Sequence, residues 1–209
     1  MSTRIEHDFI GEMNISNDLY YGVQTSRAMH NFHMTGRKLQ NYPFFIQAFA
    51  QVKKAAALAN KEVGVLKPEI ADAIASACDK IIAGEFIEQF PVDMIQGGAG
   101  TSTNMNVNEV IANIALEILH HEKGEYKFVH PNDHVNLSQS TNDAYPSSVK
   151  VAAYGKLTEL LQAMEELQSS LLKKSKEFEH VLKMGRTELE DAVPTTLGNT
   201  FKAFACYIE

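Results

Sequence analysis

The chain has 209 residues, 44% of them apolar and 22% charged, enough for one or two folded domains with a buried core and unlike a disordered composition. Nineteen Lys and Arg against 26 Asp and Glu leave a net charge of −7, which argues against a polyanion-binding surface and so against nucleic acid as a partner. No stretch reaches the roughly 18 apolar residues of a membrane span, the N-terminus "MSTRIEHDFIGEMNI" has no apolar run of signal length, and Cys78 and Cys206 lie far apart without CxxC spacing; the expected setting is a reducing cytoplasm, with no membrane partner.

Residues 1–42 lack a sustained period and read as loops with short turns or strands, punctuated by Gly11, Gly22 and Gly36 and wrapping the surface. From Pro43 the Ala-rich sequence carries apolar residues at helical spacing, with Pro43 suited to a first turn and Gly64 to the stop. A second helix is predicted from about Pro68 to Ala83, ended by Gly84. The small-residue loop Gln96–Asn104 then leads into a helix through "MNVNEVIANIALEILHH", ending near Gly124. From about Pro146 to His180 one long helix is predicted, with Val149, Ala153, Leu157, Leu160, Leu161, Met164, Leu167, Leu171, Leu172 and Phe178 at three-and-four spacing. At about 50 Å it reads as a rod belonging to a helical bundle. A connection containing Gly185, Pro194 and Gly198 precedes a last helix with Phe201, Phe204, Ala205 and Ile208 at helical spacing. No stop signal precedes Glu209, so that helix reads as cut and the polypeptide as part of a longer protein.

Two polar runs carry the chemistry. Ser138-Gln139-Ser140-Thr141-Asn142-Asp143 puts donor and acceptor side chains just before a predicted helix start, where unpaired N–H groups and the helix dipole favour an anion such as a carboxylate. Ordinary N-capping accounts for the same residue types when the run is taken alone. Gly97-Gly98-Ala99-Gly100-Thr101-Ser102-Thr103 repeats the design, with glycines that let backbone approach a ligand and hydroxyls beside a helix start. A nucleotide P-loop is excluded, since the GK[ST] lysine and a preceding buried strand pattern are missing. His130 and His134 in "HPNDH" suggest a metal site, but Pro131 and Asn132 make a turn there and the spacing loses its helical meaning, so no metal is assigned. His120 and His121 are placed to favour a helix C-terminal dipole.

The blocks "GTSTNMNVNEVIAN" (100–113), "HPNDHVNLSQSTNDAYP" (130–146) and "GRTELEDAVPTTLG" (185–198), with "YYGVQTSRAMHNF" upstream, resemble in order the motifs of the aspartase/fumarase superfamily. Fumarases are similar but usually carry "SQSSND" in the second block; "SQSTND" and "GTSTN" look like the aspartase branch. The resemblance implies a mainly α fold, with a small N-terminal domain over residues 1–141 and the start of a long-helix central bundle over 142–209. It implies a homotetramer when the protein is complete, active sites assembled from several subunits, and reversible elimination of ammonia from L-aspartate to give fumarate without a cofactor.

By the same resemblance, Thr101, Ser140 and Thr141 would hold the carboxylate that becomes a dianion, Asn142 would contact the amino group, and Thr187 another polar end of the substrate. His130, Asn132 and Asp133 match a loop that forms a secondary anion site in fumarases. Two departures stand out. Glu188 occupies a position that generally holds His or Gln, and a carboxylate beside a dianion costs energy unless it faces the ammonium group or is protonated; Glu190 and Asn199-Thr200 differ in the same region. The "GSSxMPxKxN" loop with the family's base serine has no counterpart in these 209 residues, so the expectation is a substrate-binding half-site that is inactive alone. Fumarate hydratase and a truncated, non-catalytic helical assembly protein are the competing readings.

Overall fold

Residues 3–16 pair as a hairpin: β1 (Thr3–Asp8) runs antiparallel to β2 (Gly11–Ser16), with Thr3 opposite Ser16 and Asp8 opposite Gly11. The turn is closed by Asp8, whose carboxylate accepts the N–H groups of Ile10 and Gly11 and is clasped by Arg27, which holds its pKa below the ordinary carboxylate value. The computed structural model describes residues 2–209, which divide into two compact units, one ending at Ala153 and the other Tyr154–Glu209.

In the first unit α1 (Val23–Asn31) follows the hairpin, a helix that the polar sequence did not announce. The expected helices α2 (Pro43–Glu62) and α3 (Pro68–Ile82) each open on proline in the first turn, where a missing N–H costs nothing. They pack through Phe45, Phe49, Ile74, Cys78 and Ile81, all buried. Cys78 is free, and burial pushes its thiol up to about 12, so it behaves as a small apolar side chain.

The fourth helix, α4 (Thr101–Ile118), is the centre of this unit: Val107, Val110, Ile111, Ile114, Ala115 and Leu116 are buried, and so are Asn104, Asn106, Asn108, Glu109 and Asn113. Burying so many polar groups is tolerable only where they are hydrogen-bonded. Asn106 donates to the Gln89 carbonyl (3.0 Å), and Asn113 donates to the Tyr20 carbonyl (2.7 Å) while accepting from the Gly124 N–H (2.8 Å).

The long helix α5 (Thr141–Glu177) begins earlier than the sequence suggests and carries Pro146 inside it. The cause is at Ser140, whose hydroxyl oxygen accepts the Asn142 N–H (3.2 Å) while Asp143 accepts the Ser140 N–H (3.1 Å). This reciprocal cap starts the helix before the proline, which then removes only the donor that would have met the Asn142 carbonyl.

In the second unit, α5 continues to Glu177, and the segment read as a plain connection is a hairpin, β3 (Leu182–Thr187) against β4 (Glu190–Thr196). Both strands are largely exposed, so no alternation of apolar residues marks them, and Pro194 and Gly185 mimic loop residues. Thr196 caps α6 (Leu197–Ile208) by accepting the Asn199 N–H (3.1 Å). A Cβ on Gly198 would lie 2.4 Å from the Ser175 carbonyl oxygen, so glycine alone allows α6 to start against the end of α5. No helix among the described residues is long and apolar enough to cross a membrane.

Candidate active site

The two polar runs singled out in the sequence form the opening turns of α4 and α5, and the structure brings those turns together. Thr101 is the first residue of α4, behind Gly100 in the left-handed region (φ 89°). Gly100 lies under the Tyr145 ring of α5: a Cβ there would sit 2.2 Å from the ring. Tyr145 in turn packs edge-on against Phe45 and Phe49 of α2, with ring centroids 5.4 and 6.2 Å away. The second tie is polar, from the Asn104 amide nitrogen to the Thr141 hydroxyl oxygen across 3.0 Å.

Thr101, Ser140 and Asn142 are exposed and Thr141 is half-buried. Several first-turn N–H groups are already capped, Asn142 by the Ser140 hydroxyl oxygen (3.2 Å) and Thr103 by the Gln96 side chain (2.8 Å), so the three hydroxyls at these two positive helix ends are the neutral donors that suit a carboxylate. Ser140 is also a cap, as its residue type allowed, and its hydroxyl proton stays available because the oxygen only accepts from Asn142.

Beneath Thr141 lies an amide cluster that the sequence reading missed, with Asn104 and Asn108 buried and Asn136 half-buried. The Asn136 side-chain oxygen accepts from Lys53 Nζ (2.8 Å), Asn104 Nδ2 (3.1 Å) and Asn108 Nδ2 (3.3 Å), and Asn136 Nδ2 donates to the Gln139 carbonyl (3.0 Å). Lys53 is fully buried, has no carboxylate within ion-pair distance among the described residues, and is pulled down to about 7 by its burial. A signal for it was present: Phe45, Phe49, Lys53 and Ala57 recur every four residues, which puts a lysine in an apolar stripe.

A second buried polar centre surrounds the start of α1. Glu109 of α4 accepts the N–H groups of Gly22 (2.9 Å), Gln24 (2.7 Å) and Thr25 (3.0 Å) and the Thr25 hydroxyl (2.6 Å). Glu6 accepts from the Val23 N–H (2.9 Å), from Arg4 (2.8 Å) and from the Tyr126 hydroxyl (3.1 Å to either oxygen). Two acids thus cap one helix N-terminus from different elements. Burial pushes Glu109 up to about 7, with the Glu6 charge adding to the rise and the Thr25 hydrogen bonds opposing it.

His130, Asn132 and Asp133 lie at a single π-type turn (Pro131–Val135) and border two clefts of 530 and 450 Å³ that share His7, Tyr126, His130 and Asp133. His130 Nδ1 accepts the N–H groups of Asn132 and Asp133 (3.2 Å each), and His134 Nδ1 accepts the His130 N–H (2.8 Å). Burial lowers the His134 pKa, against the opposing pull of Asp133.

Thr187 and Glu188 belong to the second unit, where Thr187 ends β3 opposite Glu190 and Glu188 opens the two-residue turn to β4. Glu188 and Leu189 both have positive φ, 51° and 67°, the backbone of a primed hairpin turn that normally calls for Asn or Gly. The Glu188 carboxylate is exposed at that tip.

The family described as a lyase matches residues 11–209. Over 99% of its length the chain is 60% identical to aspartate ammonia-lyase of Helicobacter pylori (strain J99), of which it spans 44%. The fold superposes on native fumarate lyase:delta crystallin from Brucella melitensis with a TM-score of 0.95 at 50% identity, over 99% of this chain and 46% of that one. It also superposes on a class II fumarase from Schistosoma mansoni, with a TM-score of 0.92 at 34% identity, over 99% of this chain and 43% of that one. The chain thus spans under half the length of the relatives it matches. With a mainly α fold shared with these enzymes and a family match over nearly all of its residues, the chain belongs to the aspartase/fumarase-like lyases.

Proposed function

We propose that this chain carries the carboxylate-binding half-site of an aspartate ammonia-lyase. The observation that carries the reading is the joining of the α4 and α5 opening turns, through Asn104 and Thr141 and through Gly100 and Tyr145. The 60% identity to a relative named aspartate ammonia-lyase favours aspartate over malate as substrate.

In this reading the side-chain carboxylate of L-aspartate is held by Thr101, Ser140 and Thr141. Removing a proton from the adjacent carbon puts a second negative charge on that carboxylate, and the carbon–nitrogen bond then breaks to release ammonia and fumarate. The proton is weakly acidic, so catalysis depends on donors already aimed at the developing charge. Neutral hydroxyls and helix N–H groups meet this need without over-stabilising the singly charged substrate. Asn142 faces the amino group, Thr187 and Glu188 of a β3–β4 turn bind substrate in an active site assembled from several subunits, and no cofactor is needed. The base is a serine on a GSS-type loop outside these 209 residues.

The division into a domain over 1–141 and a bundle domain from 142 belongs to the same proposal, as does assembly into a cytoplasmic homotetramer. Its support is the second unit's display of Tyr154, Leu157, Leu160, Leu161, Leu167, Phe204 and Tyr207, all exposed on helices that need apolar partners. His130, Asn132 and Asp133 are assigned to a secondary anion site beside the two clefts.

The test is parallel assay of fumarate formation from aspartate and from malate, by the pure 209-residue polypeptide and by the full-length enzyme. Turnover of aspartate by the full-length enzyme alone is expected. Fumarate release by the 209-residue polypeptide would overturn the half-site, and preference for malate would move the assignment to fumarate hydratase.

A further inference from the structure

The atoms around Asn136 admit one hydrogen-bond assignment, and it reaches the Thr141 hydroxyl. Asn136 Nδ2 faces the Gln139 carbonyl, which can only accept, and Asn136 Oδ1 faces Lys53 Nζ (2.8 Å). The Gln139 carbonyl by itself requires the oxygen of Asn136 to point inward, where Lys53 Nζ donates to it. The Asn104 side-chain atom 3.1 Å from that oxygen must then be the amide nitrogen. The same nitrogen lies 3.0 Å from Thr141 Oγ1, so Thr141 is obliged to accept there. A hydroxyl has a single proton, and that of Thr141 is left unclaimed by its buried neighbour.

We propose that Lys53, Asn136 and Asn104 are positioning residues that hold Thr141 as a hydrogen-bond donor toward the substrate carboxylate. The inference rests on the reading that Thr141 grips that carboxylate, and adds how the hydroxyl is committed to donating before substrate arrives. The relay is rigid for physical reasons: Lys53, Asn104 and Asn108 are all buried, and α2, α4 and the segment before α5 each supply a member. The side-chain oxygens of Asn104 and Asn108 meet no protein donor, so each amide enters the cluster through its nitrogen. A donor preset in this way pays no reorientation when charge develops.

The test is a pair of double-mutant cycles in the full-length enzyme, with folding checked by circular dichroism. Thr141→Val removes the donor directly and is expected to lower kcat about a hundredfold with little change in KM. Asn104→Asp places an acceptor against Thr141 and claims its proton, and Lys53→Met removes the far anchor. Each is expected to lower kcat at least about tenfold alone, but to have less than about a twofold further effect in the Thr141→Val background. Asn104→Ser, shorter and uncharged, takes the place of Asn104→Asp, and Lys53→Gln that of Lys53→Met, where either does not fold. Losses that multiply with that of Thr141→Val, or relay variants at full speed beside a slow Thr141→Val enzyme, overturn the relay while leaving the carboxylate reading intact. An unimpaired Thr141→Val enzyme overturns that reading and the relay with it.

Discussion

Gly100 and Tyr145 lie so close that a single added carbon has no room: the Cβ of an alanine at position 100 would fall 2.2 Å from Tyr145 Cδ2. The glycine also holds a φ of 89°, a region that L side chains rarely adopt. The contact sets the spacing between the opening turns of α4 and α5, and hence between Thr101 and Thr141. It converts a backbone requirement into the geometry of the candidate site.

Gly100→Ala is therefore expected to lose stability by about 2–4 kcal/mol, combining steric overlap with an unfavourable φ. Thermal melts of the variant would measure it. An unchanged melting temperature would mean that Tyr145 swings away at no cost and that the two turns are not held by this contact.

Glu109 gives the protein a pH-dependent term of definite sign. Its carboxyl stands at about 7 in the fold against an ordinary value of 4.5, so the folded state holds the proton more tightly than the unfolded chain does. The contribution is fully present below about pH 4.5, declines as pH rises toward 7, and is lost above that, for a total on the order of 3 kcal/mol. Glu109→Gln is expected to flatten stability between pH 4.5 and 7, while destabilising the fold at every pH by turning an amide N–H₂ against donors. Urea unfolding across that range would show both effects.

At the β3–β4 turn the demand is conformational. Leu189 has a φ of 67° and is almost fully exposed, so its side chain contributes strain and no packing. Leu189→Gly is expected to stabilise the hairpin by about 1 kcal/mol, because glycine adopts this region freely. A drop in melting temperature would reveal a partner for the Leu189 side chain.

Glu188 tests the amino end of the proposed substrate. If its carboxylate faces the ammonium group, Glu188→Gln in the full-length enzyme should raise KM for aspartate by about tenfold, the value of a lost charge-assisted hydrogen bond, and leave inhibition by fumarate unchanged. A variant that binds both ligands better would instead place Glu188 against the carboxylates.

The helices of the first unit were legible wherever a start signal, a 3.6-residue period and a stop coincided, as at Pro43 and Gly64 or Pro68 and Gly84. The reading failed where local signals competed. Pro146 outranked Ser140 as a helix start on paper, yet the Ser140–Asp143 cap satisfies two backbone donors and begins α5 before the proline. The β3–β4 hairpin gave no alternation because neither face is buried within its own unit. Lys53 was overlooked although it sits in the Phe45–Phe49–Ala57 stripe, where a charged residue is the anomaly that repays attention.

Sequence alone determined the family, the mainly helical fold and the order of the polar blocks that open α4 and α5, because motif spacing and helical periodicity are written in neighbouring residues. Only the tertiary structure decided which atoms of those blocks meet. The bond from Asn104 to Thr141 spans 37 positions and that from Lys53 to Asn136 spans 83, and contacts that distant have no local signature. Packing of α2, α4 and α5 around the Tyr145 ring creates them.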